Sequence, residues 1–199
     1  MAANRGFDVK NSKSRDRLID ATEALLAREG GHAISARRIA QEAGLKPQLV
    51  HYYFRSMEDL LIATFDRATA HYQALHDKAL ASPQPLRAFW TLNHVNRSDT
   101  GRNIEFIALG NRHERLRQRM LETGEHFRAL QIEAVEKALE KETHKSHYSA
   151  AGLAMMISAA ARTIVMENRL GISLAHAELC ELIGMLLDEI EPRENGASD

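Results

Sequence analysis

Among 199 residues there is one cysteine, Cys180, with four prolines and one tryptophan. A lone cysteine excludes an intramolecular disulfide framework and suits a reducing cytosol. Few prolines and no sustained alternation of Val, Ile and Thr argue against sheet. The opening stretch MAANRGFDVKNSKSR lacks the apolar core of a signal peptide. The longest small-apolar run, Ala150 to Ala161, ends at Arg162 and is read as too short to span a bilayer. These absences predict a soluble, cytoplasmic chain with no membrane segment. Chemistry-bearing motifs are missing too. There is no glycine-rich phosphate loop, nucleophile elbow, HExxH or Cys/His cluster, so the expectation is a protein that is not an enzyme and carries no metal or cofactor.

What is present favours helix. Ala, Leu, Glu, Arg and Met are plentiful, and hydrophobic and charged shares of 44% and 27% are ordinary for a soluble protein. The net charge of −1 hides an asymmetry. Residues 1–55 hold ten Lys/Arg against six Asp/Glu, and residues 56–199 hold sixteen against twenty-one. A basic head on an acidic body suggests that the head meets a polyanion. Charge alone does not decide this, since a chance fluctuation of composition gives the same split.

Helical spacing begins early. Leu18, Ala21, Thr22, Leu25 and Leu26 form one apolar stripe, and Gly30-Gly31 ends it. Ser35 is placed to cap a short second helix that faces Ile39, Ala40 and Ala43 inward and stops at Gly44. Pro47 suits the first turn of a third helix with Leu49, Val50, Tyr53 and Phe54 on its apolar face. Ser56-Met57-Glu58-Asp59 reads as the start of a fourth, running to about Ala81. Ser82-Pro83-Gln84-Pro85 breaks the chain. Beyond it the pattern predicts a helix ending at Ser98–Gly101, then helices over 104–119 and 120–141. The segments Ser149–Leu170 and Leu174–Ile190 are apolar around much of their circumference. Faces that wide need cover from the domain's own core or from a second subunit.

A short helix, a turn at Gly44-Leu45 and a second short helix have the lengths of a helix-turn-helix, which lays its second helix in the DNA major groove. Spacing of this kind is common, so by itself it is weak. The residues ISARRIAQEAGLKPQLVHYYFRSMEDL, however, resemble the N-terminal domain of the tetracycline-repressor (TetR) family of bacterial regulators, and SRDRLIDATEALLAREG matches its first helix. The detailed resemblance covers about residues 14–65; the remainder agrees in length and helical content.

The resemblance implies an all-α fold: a three-helix helix-turn-helix DNA-binding domain (14–65) joined to a larger helical ligand-binding and dimerisation domain (66–192). It implies a homodimer through the last two helices, double-stranded operator DNA as partner, and a small-molecule effector that releases the operator. Recognition helices entering successive grooves would read half-sites roughly 34–36 Å apart. On the third helix, Lys46, Gln48, His51 and Tyr52 lie opposite the apolar face. Gln48 suits adenine, and Lys46 suits guanine or a phosphate. Tyr52 and His51 can donate to phosphate oxygens, and Arg37, Arg38 and Arg55 add phosphate contacts. The family often has Ser or Thr where this chain has Lys46 and Leu49, Tyr at His51 and Lys at Met57.

Phe89, Trp90, Asn93, His94, Phe106, Phe127, Met155 and Met156, with Met166, lie in segments where the family builds its effector cavity. Apolar stripes chiefly form cores, so the polar groups Asn93, His94 and Asn103 are the more telling. This lining implies a largely apolar effector. Two rivals come from other classes. A helical metal enzyme would cluster His71, His94, His113 or His126 around a bound ion. A regulator that recruits a protein partner, without sensing a small molecule, would have a closed interior.

Overall fold

The computed structural model describes residues 3–95, 97–141 and 148–192, and there is no strand among the described residues. The helices are α1 (Ala3–Glu29), α2 (Ala36–Glu42), α3 (Gln48–Tyr53), α4 (Met57–Leu80), α5 (Pro85–Val95), α6 (Arg97–Gly110), α7 (Glu114–Lys141), α8 (Ala150–Leu170) and α9 (His176–Ile190), with a 3-10 turn at Gly31–Ala33. The chain divides into two compact units, one of residues 1–70 and 101–121, the other of 71–100 and 122–199. The three divisions fall inside α4, α6 and α7 rather than in linkers.

The first unit is built from local signals that agree with one another. Gly30 takes φ +82° and ends α1. The Ser35 hydroxyl accepts the Arg38 N–H at 3.3 Å, and Ser56 accepts that of Asp59 at 3.1 Å, so both predicted N-caps form. Leu18, Leu25, Ile39, Ala40, Val50, Phe54 and Leu60 make one buried cluster. A second cluster joins Leu26, Leu61 and Phe65 to Phe106, Leu109 and Leu116, which is why residues 101–121 belong to this unit. Polar ties reinforce that join. The Glu105 carboxylate accepts the Gly31 N–H at 2.7 Å, Arg115 pairs with Asp59 at 2.7 Å, and Arg119 pairs with Asp66 at 2.7 Å. Across α1 and α4, Arg67 meets Asp20 and Glu23 at 2.7 and 2.8 Å.

The second unit packs α5, α8 and α9 around Leu86, Trp90, Val135, Leu153, Ile157, Ile164, Ile183 and Leu187. Ser149 caps α8 by accepting the Gly152 N–H, and Gly171 closes it in the left-handed conformation at φ +79°. The first turn of α5 is held from far along the chain. Glu191 accepts the Leu86 and Arg87 N–H groups at 3.1 and 3.0 Å, and Arg87 also pairs with Asp188.

Two expectations need correction. The helix after Pro85 is described to Val95, short of Ser98–Gly101; a separate helix, α6, runs through that segment and the chain turns at Asn111–Arg112. A lone glycine weakens a helix by only about 1 kcal/mol, and Ser98 and Asp99 are residue types that suit a first turn. The segment 150–169 is also long enough, with mean hydropathy 1.3, to pass as a membrane span on length and composition. The apolar pattern resumes after Arg162 with Ile164, Val165 and Met166. Leu153, Ala154, Ile157, Ala161, Ile164 and Val165 are nonetheless buried in the core of this unit.

Candidate functional site

The first unit presents a short exposed helix on a rigid turn. Gly44 has φ +61°, a left-handed conformation that favours glycine, and a Cβ there would also stand 3.1 Å from the Arg17 guanidinium. Arg17 donates to the Ala43 carbonyl, and the Leu45 N–H reaches the Ala40 carbonyl at 2.8 Å. These bonds fix where α3 starts. Val50 and Phe54 then anchor it, 1% and 4% exposed, with Tyr53 packed beside them and the Arg15 guanidinium 5.2 Å from the Phe54 ring centre. Leu49, expected on this apolar face, is half-buried and stands outside the cluster; Leu45, before the helix, packs there instead.

The opposite side of α3 is open. Lys46, Gln48 and His51 are exposed, and Tyr52 is 63% exposed with its ring edge-on to Tyr53 at 5.0 Å. Arg37, Arg38 and Arg55 are exposed around it. Such a strip offers amide and hydroxyl groups to base edges and cations to phosphates. One of the arginines is engaged. Arg38 pairs with Glu29 at 2.6 Å, and Arg28 bridges Glu29 at 3.0 Å and Glu42 at 2.9 Å. These guanidinium partners hold the Glu29 and Glu42 carboxyls below the ordinary carboxylate range, Arg28 most of all. The alternation of Glu and Arg was visible in the sequence. Their meeting across α1 and α2 was not.

In the second unit the candidate ligand residues separate. Phe89 and Trp90 are buried. His94 stacks on Trp90 at 4.5 Å, and its Nδ1 lies 2.9 Å from the Trp90 carbonyl. Asn93 donates to the Phe89 carbonyl at 2.7 Å and accepts the Tyr72 hydroxyl at 2.8 Å. Phe127 meets the Tyr72 ring edge-on at 5.1 Å. Phe106 is not among them: it is 1% exposed in the first unit, edge-on to Phe65 at 5.3 Å. Met155 and Met156 are 51% and 45% exposed on the outer side of α8, because the helix buries its 153–154 and 157–158 positions instead. The side chain of Asn103 lies outside the described residues. No three His, Cys, Asp or Glu side chains among the described residues are grouped to hold a metal ion.

The polar group that sequence reading missed is His76. It is fully buried, its ring is surrounded by Phe89 at 5.0 Å, Phe127 at 5.2 Å and Tyr72 at 6.0 Å, and neither ring nitrogen has a hydrogen-bond partner among the described residues. Burial depresses its pKa below 6.5, with Asp77 acting weakly the other way and His126 adding to the depression. Each unmet nitrogen costs about 1–3 kcal/mol. A signal existed: His76 follows Tyr72 by one turn on the stripe that carries Leu61 and Phe65. Beside it a cavity lined by Leu80, Leu86, Phe89, Gln131, Ala134, Val135, Ala154 and Ile157 has room for about one water molecule, about 10 Å³. On its polar margin Ser158 donates to Gln131 at 2.9 Å and Arg128 donates to Ser158 at 3.2 Å.

An exposed second helix on a fixed turn, backed by a three-helix core, is the geometry of a helix-turn-helix motif. Residues 18–64 match the sequence model of the bacterial regulatory proteins, tetR family. The HTH-type transcriptional regulator BetI of Rhizobium meliloti (strain 1021) is 44% identical over 50 residues, 25% of this chain and 25% of that protein. The chain thus spans a quarter of the curated relative it matches. The fold extends further. A structure from Rhodococcus sp. described as a TetR-family transcriptional regulator has a TM-score of 0.74 at 18% identity, covering 88% of this chain and 99% of that one. A transcriptional regulator from Saccharomonospora viridis in complex with choline has a TM-score of 0.73 at 17% identity, covering 87% and 96%. Residues 18–64 thus resemble the DNA-binding segment of tetR-family regulators, and the fold resembles that of solved transcriptional regulators over most of the chain.

Proposed function

We propose that this chain is a sequence-specific, cytoplasmic transcriptional repressor that leaves its operator when a small molecule occupies the second unit. The observation that carries the reading is the division of α3 into a buried side, Val50 and Phe54, and an exposed side of Gln48, His51 and Tyr52. Lys46, Gln48, His51 and Tyr52 contact the groove and its rim, and Arg37, Arg38 and Arg55 grip phosphates. The domain boundary lies near residue 65. The dimer forms through α8 and α9, whose outer faces expose Met155, Met156, Met166, Leu182 and Met185; a four-helix bundle would cover them. Choline in the Saccharomonospora viridis neighbour supports the idea that this fold takes small molecules.

The test is a duplex from the promoter of the protein's own locus, titrated at several salt concentrations. Binding that weakens steeply with salt is expected, since phosphate contacts release counterions. No binding at low salt would sink the reading. A second reading, regulation by a protein partner alone, draws support from the small interior cavity. His76 favours the first, because a permanently closed interior gives no use for an unpartnered buried imidazole.

A further inference from the structure

We infer that His76 is the polar anchor of the effector site, and that the site takes an uncharged, largely apolar compound bearing one hydroxyl or carbonyl oxygen. The inference rests on the small-molecule reading above and names the ligand class for it. Three observations converge. His76 is fully buried on α4 with both ring nitrogens unpartnered among the described residues. Its neighbours are the rings of Tyr72, Phe89 and Phe127. Phe89 belongs to both places, since its ring meets His76 edge-on at 5.0 Å and also lines the cavity.

The cavity walls are otherwise aliphatic, with Gln131 the one polar residue and no titratable side chain in the lining. A cation would enter that space with no carboxylate in its walls and an anion with only Arg128 at the margin, already bonded to Ser158 and Ala154, which costs more than burying a neutral polar group. An imidazole in its neutral form offers one N–H donor and one acceptor nitrogen. A hydroxyl can engage either, and a carbonyl oxygen engages the donor. Asn93 and Tyr72 satisfy one another at 2.8 Å and so leave His76 as the group with bonding capacity unspent. The closed cavity cannot hold such a compound without change. Rotation of Phe89, whose ring stands at both, joins the cavity to the His76 nitrogens, and aromatic rings then flank the ligand.

The experiment uses the full-length protein without DNA, labelled with nitrogen-15 in histidine. The His76 ring nitrogens are identified by their loss in His76→Phe. Six probes are titrated: p-cresol and 2-naphthol, their hydrocarbon counterparts toluene and naphthalene, and the ions 4-methylbenzoate and 4-methylbenzylammonium. A phenol is expected to shift the His76 nitrogens and to bind about tenfold more tightly than its hydrocarbon, the worth of one added hydrogen bond. His76→Phe should erase that advantage, and His76→Gln, which keeps a donor and an acceptor, should retain part of it. The inference is overturned if an ion binds best, if no probe moves the His76 nitrogens, or if His76→Phe keeps the phenol preference. Because the readout needs no operator, failure of DNA binding alone would sink the regulator reading and leave this result standing.

Discussion

Replacing Glu29 with Gln should strengthen DNA binding, because it releases an arginine that the free protein holds in an ion pair. Arg38 stands in the first turn of α2 and meets Glu29 at 2.6 Å, while Arg28 occupies the other Glu29 oxygen at 3.0 Å. Both side chains of the Arg38–Glu29 pair are partly solvent-exposed, 48% and 29%, so stability should change little when it is broken. The effect on binding is larger. A guanidinium freed to contact a phosphate steepens the slope of log affinity against log salt by about 0.9, hence by about 1.8 for a dimer. Between about 50 and 200 mM salt that difference multiplies the loss of affinity by about 12-fold. Fluorescence anisotropy of a labelled operator duplex across a salt series measures it, and urea unfolding checks that the fold is intact. Adding Arg38→Ala to the Glu29→Gln protein should return the slope to the parent value, as a double-mutant cycle requires. Unchanged slope together with unchanged affinity would refute the placement of Arg38 at the DNA backbone.

Other outcomes follow from the same geometry. Phe54→Ala should cost roughly 3–5 kcal/mol of folding stability, read by denaturant melts, because it empties a site that is 4% exposed beneath α3. Tyr52→Ala and Lys46→Ala should leave the melt unchanged and weaken operator binding, since both side chains are exposed. Met185→Glu, at a position 70% exposed on α9, should shift the sedimentation profile toward monomer; an unaffected dimer would place the interface elsewhere. Burial holds His76 below 6.5, so the unfolded chain takes up a proton that the folded chain declines. Stability should therefore be full above about pH 7 and fall as the solution is acidified through the unfolded value, levelling off below the folded one. His76→Phe should remove that part of the acid sensitivity, measured as unfolding midpoints across the same pH range.

The DNA-binding head was legible because its signals are local. Ser35, Gly44, Pro47 and Ser56 each specify a cap or a turn within a few residues, and each acts where it was expected. Contacts between distant segments were not legible. Nothing in the stripe of Phe106 says whether it packs with residues 86–94 or with Phe65, and it packs with Phe65. Met155 and Met156 fit an apolar helix in any rotation, and only the packing of α8 turns them outward. The rival metal reading pointed to His71, His94, His113 or His126 and passed over His76, whose informative feature is the absence of a bonding partner among the described residues. Such an absence has no sequence signature beyond a polar residue on an apolar stripe.

The two hydrogen bonds that Glu191 accepts from the start of α5 have a consequence for how this protein should be assayed. Glu191 immediately follows α9, and α5 carries Phe89, the ring shared by the cavity and His76. An occupant that displaces Phe89 loads α5, and the load reaches α9 through charge-assisted bonds as well as through the shared core of Leu86, Trp90, Ile183 and Leu187. If α9 is also the seam between subunits, filling the cavity and joining the subunits share one free-energy cycle and must influence each other equally. Ligand affinity should then drift with protein concentration across the range where dimers form. A dose–response curve taken at a single dilution would report a property of the assembly, not of one chain.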